Sequence, residues 1–371
     1  MLKFNSYPTR FVHKEGMRLR MEKKKRVLLG MSGGVDSSTS AIILKQEGYE
    51  VIGCTMKLWE QNESNKAVQD AQKVCEKLGI EHHVIDCREL FKNKVIDNFT
   101  GEYQKARTPN PCIQCNKYLK FGIFYQKAKE LECEYIATGH YACIEFSKKY
   151  QQYILKKSKE EKKDQTYFLY TIPKEKLEHI LFPLKNYTNK QDIRKVAQEN
   201  GLEIAEKKDS QEICFIPDND YQCFLEKELK QKPKTGNIVL KTGEILGKHT
   251  GLTHYTIGQR KGIGISYPKP LYVIELEREK NEVIVGEETE LYSKTLYANQ
   301  TNWIVQIQEK TVTCYAKIRY RAKEALATVT IQENNEVKVE FEKPQRAITP
   351  GQSVVFYDKE GIVLGGGIII K

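Results

Sequence analysis

At 371 residues the chain is longer than one ordinary hydrophobic core allows, so its length predicts two or three domains. It carries 60 Lys and Arg against 49 Asp and Glu, and the formal charge of +11 favours a polyanionic partner, tRNA or DNA, over a small metabolite. No apolar run approaches the roughly 18 residues that a membrane helix needs, so no membrane partner is expected.

The first 24 residues are basic but have no apolar stretch, which excludes a secretory signal and predicts a disordered extension. A transit peptide and an over-long start are the alternatives for this segment. The 10 cysteines are spread along the chain, which without a secretory signal is typical of free thiols in a reducing compartment. We therefore expect a cytoplasmic protein.

The first predicted elements are a short buried strand at 27–30 and a helix at 38–47. Between them lies Ser32-Gly33-Gly34, where two residues without a Cβ let the backbone approach an anion closely. The N–H groups that open the helix point towards the same anion, and the helix dipole favours negative charge there. Neither Gly-x-x-x-x-Gly-Lys-Ser/Thr nor G-x-G-x-x-G is present. The stretch therefore predicts another kind of phosphate-binding turn, with a glycine turn of no function as the alternative.

Further strands at 51–56 and 81–86, each followed by a helix, continue the pattern. Such alternation predicts a parallel sheet with helices on both faces, whose ligands bind at the carboxyl ends of the strands. The turn at 30–37 lies at such an end. Met56, which closes the second strand, is expected either to cover an adenine ring there or to lie in the core.

Residues 106–115 contain two prolines, so we expect a loop there and a helix from Asn116 onward. Thr188 and Gln191 have the spacing of a capping box that would start a later helix. Residues 207–217 are expected to form a second loop. The cysteines within these two segments are thus predicted to lie in loops.

From about residue 218, short strands punctuated by glycine replace the alternation of strand and helix. A basic loop there is expected to place Arg260 and Lys261 against the phosphates of a nucleic acid. Beyond residue 286, apolar and polar residues alternate, which predicts a small antiparallel barrel. The predicted units are a basic extension at 1–24, a parallel-sheet catalytic domain at 25–217, a central domain at 218–285 and a barrel at 286–371.

Seven motifs follow one another along the chain: Ser32-Gly-Gly-Val-Asp-Ser-Ser, Thr108-Pro-Asn-Pro-Cys-x-x-Cys-Asn-Lys, Ala137-Thr-Gly-His-Tyr, Lys163-Asp-Gln-x-Tyr-Phe-Leu, Lys208-Asp-Ser-Gln-Glu-Ile-Cys-Phe-Ile-Pro, Thr256-Ile-Gly-Gln-Arg-Lys-Gly and Thr349-Pro-Gly-Gln. The first resembles the PP-loop of the N-type ATP pyrophosphatases. The whole set, in this order, resembles the tRNA-specific 2-thiouridylase family. The resemblance implies a parallel-sheet PP-loop domain, a small central domain and a C-terminal antiparallel β-barrel.

The resemblance also implies a reaction. ATP and Mg²⁺ adenylate O2 of the wobble uridine of tRNA, and sulfur from a cysteine persulfide then replaces that oxygen. In this interpretation Cys115 is the nucleophile, Cys214 carries the persulfide and Asp36 holds Mg²⁺. The implied partners are tRNA and a persulfide donor, either a cysteine desulfurase or a sulfur-relay protein.

The resemblance assigns further residues to three groups. The implied ATP site comprises Gly30, Met31, Ser32, Gly33, Gly34, Val35, Asp36, Ser37, Met56 and Gly139. The implied contacts to the target base are Asn110, Pro111 and Cys112. The implied contacts to tRNA are His140, Lys163, Asp164, Gln165, Arg319, Tyr320 and Gln352.

One position departs from the family pattern, which has Asp where this chain has Cys112. Three cysteines, Cys112, Cys115 and Cys214, therefore belong to two of the motifs. Three interpretations stay open. Two thiols could exchange a persulfide and close a disulfide, with Cys112 a bystander, or all three thiolates could hold a [4Fe–4S] cluster. A structural zinc site is the third, and it has no evident fourth ligand.

Three other functions compete with 2-thiouridine formation. Thiolation of cytidine in tRNA is the nearest of them. A small-molecule PP-loop ligase fits less well, because such an enzyme would need neither the cysteine motifs nor a basic barrel. A non-catalytic RNA-binding protein that senses nucleotide would have no need of the cysteine in the Glu-Ile-Cys string.

Overall fold

A computed structural model describes residues 24–59, 62–202, 213–216, 220–230 and 232–371. The expected basic extension, apart from residue 24, and most of the expected loop at 207–217 lie outside the described residues. None of the described helices is long and apolar enough to cross a membrane.

A parallel β-sheet forms the centre of the first domain, as the sequence predicts. The strands of this domain are β1 Arg26–Gly30, β2 Glu50–Lys57, β3 Glu81–Asp86, β4 Tyr135–Ala137, β5 Cys143–Ser147, β6 Gln152–Lys156 and β7 Ile180–Leu181. Five of them pair in the order β3-β2-β1-β4-β7, and every pair is parallel. The remaining two, β5 and β6, form an antiparallel hairpin.

Helices cover both faces of this sheet. They are α1 Val35–Gln46, α2 Asn62–Leu78, α3 Arg88–Phe91, α4 Asp97–Gln104, α5 Pro111–Cys115, α6 Phe124–Glu130 and α7 Lys190–Glu199. Val27 and Leu29 of β1 pack with α1 in one hydrophobic cluster, while Leu28 packs with Phe124 of α6 in another. The period of two along the strand thus sends successive apolar side chains to opposite layers.

The helix that carries the first two motif cysteines begins at Pro111, five residues before the predicted start at Asn116. Proline suits the first helical turn because its missing N–H needs no partner there. Asn110 caps the helix, and its side-chain oxygen accepts the Cys112 N–H at 3.2 Å. Cys112 and Cys115 consequently lie on a helix, and the prediction that they lie in a loop was wrong.

The cap of α7 also differs from the prediction. Asn189, not Thr188, is the capping residue, and its side-chain oxygen accepts the Asp192 N–H at 2.8 Å. Asparagine caps as well as threonine or better, so the stronger neighbour supplies the cap and shifts the start of the helix by one residue.

Two π-helical turns interrupt the helices near the cysteines. Lys92–Ile96 joins α3 to α4, and Asn116–Ile123 joins α5 to α6. Each forms a continuous rod with the flanking α-helices. Such turns are rare in proteins and are frequent at functional sites.

The central domain combines one helix with a four-stranded sheet. Its elements are α8 Tyr221–Leu229, β8 Gly236–Leu240, β9 Ile245–His249, β10 Tyr272–Glu277 and β11 Glu282–Gly286. The sheet order is β10-β11-β8-β9, in which only the β11–β8 pair is parallel.

The C-terminal domain is a closed six-stranded antiparallel barrel, as predicted. Its strands are β12 Tyr292–Trp303, β13 Thr311–Lys317, β14 Ala325–Ile331, β15 Val337–Arg346, β16 Ser353–Tyr357 and β17 Val363–Ile369. Cys314, Ala316 and Ile318 are buried as the alternation requires, while Thr311 and Thr313 are exposed.

The barrel is fastened to the first domain next to the start of α5. The Thr108 N–H donates to the Pro350 carbonyl at 2.9 Å, and Gln352 Nε2 donates to the Thr108 carbonyl at 2.8 Å. Gly351 lies between them with a φ of +91°, and a Cβ at that position would be 2.9 Å from the Thr108 nitrogen. Only glycine combines this φ with so close an approach. The barrel therefore packs closely against the segment that leads into α5.

Candidate active site

The turn between β1 and α1, hereafter the phosphate turn (32–38), has a shape that only its glycines permit. Gly33 adopts a φ of +67°, and an added Cβ would be 2.8 Å from the Ala67 carbonyl oxygen of α2. Gly34 caps α1 in an extended conformation, with no side chain of its own to cap the helix. The first N–H groups of α1 therefore stay available to an anion.

Serine hydroxyls hold the phosphate turn closed. The Ser32 N–H donates to Ser37 Oγ at 3.2 Å, and Ser37 Oγ in turn donates to the Gly34 carbonyl at 3.0 Å. Ser38 Oγ donates to the same carbonyl at 3.0 Å. These bonds fix the turn before any ligand binds, which lowers the ordering cost of binding.

Asp36 stands in the first turn of α1 and is the acidic centre of this site. Its Oδ1 accepts the Tyr141 hydroxyl at 2.9 Å and the Lys190 ammonium at 2.7 Å. Tyr141 is itself oriented by Gln165, whose side-chain oxygen accepts the Tyr141 N–H at 2.9 Å. The Asp36 side chain keeps 32% of its surface exposed, whereas Lys190 keeps 13%. The carboxylate is thus held at the mouth of the turn and faces solvent.

Sequence analysis missed Tyr141 and Lys190 as neighbours of Asp36. Tyr141 is part of a quoted motif, so its position could have suggested a role. Lys190 is the first residue of α7, and nothing in the local pattern connects that helix with the phosphate turn. Lys190 reaches Asp36 because α7 packs on α1. In that contact the Thr39 hydroxyl donates to the Ile193 carbonyl at 3.1 Å.

Gly139 and Met56 lie at the carboxyl edge of the sheet, as predicted. A Cβ on Gly139 would be 3.0 Å from the Asp36 carbonyl carbon and 3.1 Å from the Ser37 nitrogen. Gly139 therefore touches the start of α1. Met56 is half-buried and packs on two hydrophobic clusters, so both interpretations of its role stay predictions.

The structure brings together the three motif cysteines, hereafter the cysteine cluster (Cys112, Cys115 and Cys214). Cys115 is buried at the end of α5 among apolar residues that include Cys87 and Phe215. Cys112 and Cys214 have exposed surface. Burial raises the pKa of all three thiols. The pKa of Cys214 rises to about 12, because burial and any negative charge on Cys115 or Cys112 disfavour its thiolate. The cluster is therefore protonated at neutral pH.

Lys120, in the π turn that follows α5, acts on this cluster, and His140, which follows β4, contacts Lys120. The positive charge of Lys120 favours the thiolate of each cysteine, so it makes the rise in the cysteine pKa values smaller than burial alone would. Lys120 Nζ also lies 3.3 Å from His140 Nε2, and His140 Nδ1 lies 2.7 Å from Thr138 Oγ1. Burial, with the charge of Lys120, holds the pKa of His140 well below its usual value. The predicted tRNA contact at His140 stays a prediction, since the side chain is 8% exposed.

The cysteine cluster does not fit a metal centre as it stands. Within the part of the chain that the structure describes, no group of three or more His, Cys, Asp or Glu side chains is arranged to hold a metal ion. All ten cysteines lie in this part, and none of them is in a disulfide. The described side chains thus show three free thiols and no assembled metal site.

The motif at 163–165, predicted to contact tRNA, packs beside the phosphate turn. Lys163 Nζ lies 5.5 Å from the centre of the Tyr141 ring, and Gln165 orients the same tyrosine. Asp164 is 4% exposed and accepts the Thr166 hydroxyl at 2.6 Å. Burial raises the pKa of the Asp164 carboxyl despite that bond.

Arg319 and Tyr320 of the barrel, also predicted to contact tRNA, have partners inside the protein. Arg319 donates to the Ile257 carbonyl at 3.0 Å and to the Thr349 hydroxyl, so it joins the central domain to the barrel. The Tyr320 ring lies 4.4 Å from that of Phe168. Both residues therefore hold domains together, whatever contact they also make with RNA.

The remaining predicted contacts lie on two surfaces. Arg260 and Lys261 are exposed in a loop of the central domain. Gln352 is instead bonded to the segment that precedes Asn110. A cavity of about 50 Å³ adjoins Asn110, between the start of α5 and the barrel, and polar side chains including Glu102 line it. Of the predicted target-base residues, Asn110 thus lines a small polar cavity.

Three domain-family models match successive parts of the chain. A model described as tRNA methyl transferase HUP domain matches residues 25–218. A tRNA methyl transferase PRC-barrel domain matches residues 222–287, and an aminomethyltransferase beta-barrel domain matches residues 293–369. The three matches define the class: a HUP-domain protein with a PRC-barrel and a C-terminal β-barrel.

Full-length relatives then identify the family. The tRNA-specific 2-thiouridylase MnmA of Acetivibrio thermocellus is 50% identical over 93% of this chain and 99% of its own length. The enzyme of the same name from Clostridioides difficile is 48% identical over 95% and 99%. The chain belongs to the tRNA-specific 2-thiouridylase family, and the predicted membership is confirmed. Two of the domain descriptions contain the words methyl transferase, whereas the full-length relatives are named tRNA-specific 2-thiouridylases.

Two of the solved structures that match the chain resemble it only distantly. The U34-tRNA thiolase NcsA from Methanococcus maripaludis with its [4Fe-4S] cluster is 18% identical over 56% of this chain and 68% of its own, at a TM-score of 0.33. A 4-thiouridine synthetase in complex with RNA and ATP is 19% identical over 56% and 50%, at a TM-score of 0.36. Similarity at this level supports no inference about the site.

Proposed function

We propose that this chain is an ATP-dependent tRNA-uridine 2-sulfurtransferase that adenylates O2 of the wobble uridine, position 34, and replaces it with sulfur. Family membership makes it a tRNA 2-thiouridylase. The observation that carries the detailed proposal is the presence, in one domain, of a preformed phosphate turn and a cluster of three thiols. Activation of a poor leaving group and delivery of sulfur need those two parts.

The phosphate turn serves the first step. Its glycines and the N–H groups of α1 would cradle the phosphates of ATP, with Met56 and Gly139 along the nucleotide. Asp36 would hold Mg²⁺, which supplies charge neutralisation at the phosphates. The uridine O2 attacks the α-phosphate, its N3 proton leaves, and pyrophosphate departs. The oxygen then leaves as part of AMP in the next step.

The cysteine cluster serves the second step. A persulfide donor loads Cys214, and the terminal sulfur of this persulfide, as its anion, attacks C2 while AMP departs with the bonding electron pair. The Cys115 thiolate then attacks the Cys214 sulfur. The bond between the two sulfur atoms breaks, the base keeps the outer sulfur and regains its N3 proton, and a Cys115–Cys214 disulfide forms. A two-electron thiol reductant reopens this disulfide before the next turnover.

Cys112 is a bystander near the base in this mechanism. Asn110 and Pro111 precede it at the start of α5 and would contact the extruded base. The described side chains support the two-thiol interpretation over a [4Fe–4S] cluster, because persulfide exchange needs only the free thiols of Cys115 and Cys214, and no three described His, Cys, Asp or Glu side chains are arranged to hold a metal ion.

The partners follow from the same proposal. The tRNA would lie across the domains, over His140, Lys163–Gln165, the exposed loop with Arg260 and Lys261, and the barrel around Arg319, Tyr320 and Gln352. Domain boundaries near residues 25, 218 and 286 would place these surfaces on separate units. The donor would be a cysteine desulfurase or a sulfur-relay protein, and the enzyme would work in the cytoplasm.

Serine substitutions test the proposal. Cys115→Ser and Cys214→Ser should abolish 2-thiouridine, measured by mass spectrometry of tRNA nucleosides, and should keep tRNA-dependent release of AMP. Cys223→Ser, at an exposed cysteine of α8, is the matched control and should change neither. Formation of 2-thiocytidine would contradict the proposed base.

Purification without oxygen tests the alternative at the same site. We expect colourless protein that contains no iron and still thiolates tRNA from a persulfide donor. If the protein is brown, and Cys112→Ser removes both the colour and the activity, a cluster replaces the two-thiol mechanism.

A further inference from the structure

We propose that Lys120 is a positioning residue for sulfur transfer: its ammonium stabilises the negative charge that develops on the sulfur atoms of the cysteine cluster, and buried His140 holds it in place. This inference rests on the proposed function, which gives the thiols their work. Neither the sequence motifs nor the proposed mechanism so far uses Lys120.

The first step of the argument is the shape of the helix. Cys112, Cys115 and Lys120 belong to one continuous rod, because the π turn at Asn116–Ile123 joins α5 to α6. In a regular α-helix, a residue five positions after Cys115 would be rotated by about 140° from it. A π turn takes more residues for each revolution, so position 120 returns much closer to the side of Cys115.

The second step is the anchor. Lysine can only donate hydrogen bonds, so in the 3.3 Å contact with Lys120 the His140 Nε2 must be the acceptor. The proton of the neutral ring is then on Nδ1, from which it is donated to Thr138 Oγ1 at 2.7 Å. His140 also packs against the rings of Phe121 and Phe182, at 6.0 Å each. A histidine fixed on three sides gives Lys120 one preferred position.

The third step is the balance of charge around the thiols. The titratable groups that act on the charge of the cluster are the other thiols, Cys87 at the start of α3, and Lys120, which His140 contacts. Lys120 is the one cation, among the charges of the described residues, that acts on all three cysteines. Burial and the neighbouring thiols favour the uncharged form, while a backbone hydrogen bond at Cys214 acts in the same direction as Lys120.

The chemistry supplies the reason for such a cation. Each stage of sulfur transfer passes through a sulfur anion: the persulfide that attacks, the thiolate that closes the disulfide and the thiolates that a reductant leaves behind. A nearby ammonium is an established means of stabilising thiolates in otherwise apolar surroundings. Lys120 would supply this charge without being consumed.

Alkylation with a charged and an uncharged reagent tests the proposal without tRNA or ATP. A local cation attracts iodoacetate but has no net attraction for iodoacetamide, so the ratio of the two rates at Cys112 and Cys214 reports the charge. Mass spectrometry of the modified peptides gives the ratio for each cysteine. We expect Lys120→Met to lower it by about threefold, the effect of one unit charge several ångströms away in polar surroundings.

Matched variants make the result specific. Lys117→Met removes an exposed lysine that lies over the Tyr118 ring in the same π turn, and it should leave the ratio unchanged. Lys120→Arg keeps the charge and should keep the ratio. In unaltered protein the ratio at Cys112 and Cys214 should exceed that at Cys223, which gives a test even if Lys120→Met does not fold. Equal ratios at these sites, or an equal loss in Lys117→Met, would overturn the proposal.

An activity measurement links the charge to the reaction. Lys120→Met should lose most 2-thiouridine formation while it keeps tRNA-dependent release of AMP, and Lys120→Arg should restore thiolation in part. Failure of AMP release in every variant and in the unaltered protein would refute the proposed function instead. A Lys120→Met enzyme that thiolates normally would overturn the role of Lys120 alone.

Discussion

In the proposed mechanism the phosphate turn and the cysteine cluster form two halves of one site, and they are built in opposite ways. The turn comes from seven consecutive residues, is closed by its own serine hydroxyls and opens on solvent through Asp36. The cluster comes from separate segments, combines buried Cys115 with two cysteines that keep exposed surface, and holds thiols whose pKa values are raised. The adenylation half is therefore ready before substrate arrives, whereas the sulfur half is inactive until charge is placed on it.

This contrast suits a two-step reaction. A reactive persulfide or thiolate that met water or oxidants before adenylation would be lost. Thiols kept protonated by burial react slowly, because the thiolate is the nucleophile. Adenylation and sulfur transfer should consequently respond to different perturbations, and the following experiments are arranged from the largest expected effect to the smallest.

Asp36→Ala should disable only the phosphate half. We expect tRNA-dependent AMP release to fall by at least about a hundredfold, because a charge that organises the phosphates is lost. The fold should survive, since the carboxylate is partly exposed, although the ion pair with Lys190 is lost at a cost of about 1–3 kcal/mol. Asp86→Ala, at an exposed carboxylate of β3, is the control. Near-normal AMP release, or a large loss of tRNA affinity, would contradict the assignment of Asp36 to the phosphate half.

The pH dependence of alkylation should reveal the protected state of the sulfur half. Because burial raises the pKa of Cys214 to about 12, its thiolate fraction should grow about tenfold with each pH unit through pH 8–10. The protonated thiol is favoured in the folded state, so its contribution to stability is present below pH ~8.5 and is lost as pH rises. The same cysteine in urea is the reference and should level off near pH 9. If the alkylation rate of Cys214 in the folded protein also levelled off near pH 9, burial would not raise the pKa of this thiol.

The two halves also differ in how far the sequence predicts them. The phosphate turn is contiguous in sequence, so its shape and its ligand can be predicted from Gly33, Gly34 and Asp36. The cysteines were predicted to lie in loops because two prolines were taken to prevent a helix, whereas Pro111 stands at the one helical position where proline costs nothing.

Residues that meet only through tertiary packing escaped sequence reasoning. Lys190 reaches Asp36 from 154 positions away along the chain, and Lys120 reaches His140 across the space between a helix and a strand end. A π turn cannot be predicted from local composition, so the side of the helix that Lys120 faces could not be predicted either. The fold class and the barrel were predictable because alternation along each strand records which face is buried.

Gly139→Ala should disturb the phosphate half slightly. The new Cβ would lie 3.0–3.1 Å from atoms of Asp36 and Ser37, so the start of α1 must shift by a few tenths of an ångström. We expect AMP release to fall by roughly threefold to tenfold, since small misplacements of reacting groups are costly. Gly101→Ala, in α4 with open space around the new Cβ, is the matched control and should stabilise the protein by about 0.5–1 kcal/mol. An unchanged rate in Gly139→Ala would remove Gly139 from the nucleotide site.

Neutralising Arg260 and Lys261 together should affect both halves equally and least, because these exposed residues would contact only phosphates of tRNA. We expect weaker tRNA binding and a salt dependence that is flatter by about one to two units of slope, at roughly 0.7–0.9 for each phosphate contact. The rate of AMP release and the yield of 2-thiouridine should recover at saturating tRNA. Arg278→Gln with Lys280→Gln removes the same charge from the exposed turn between β10 and β11 and controls for net charge. If both double variants flatten the slope alike, the loop at 258–262 acts through the overall field of the protein and not through contact with the RNA.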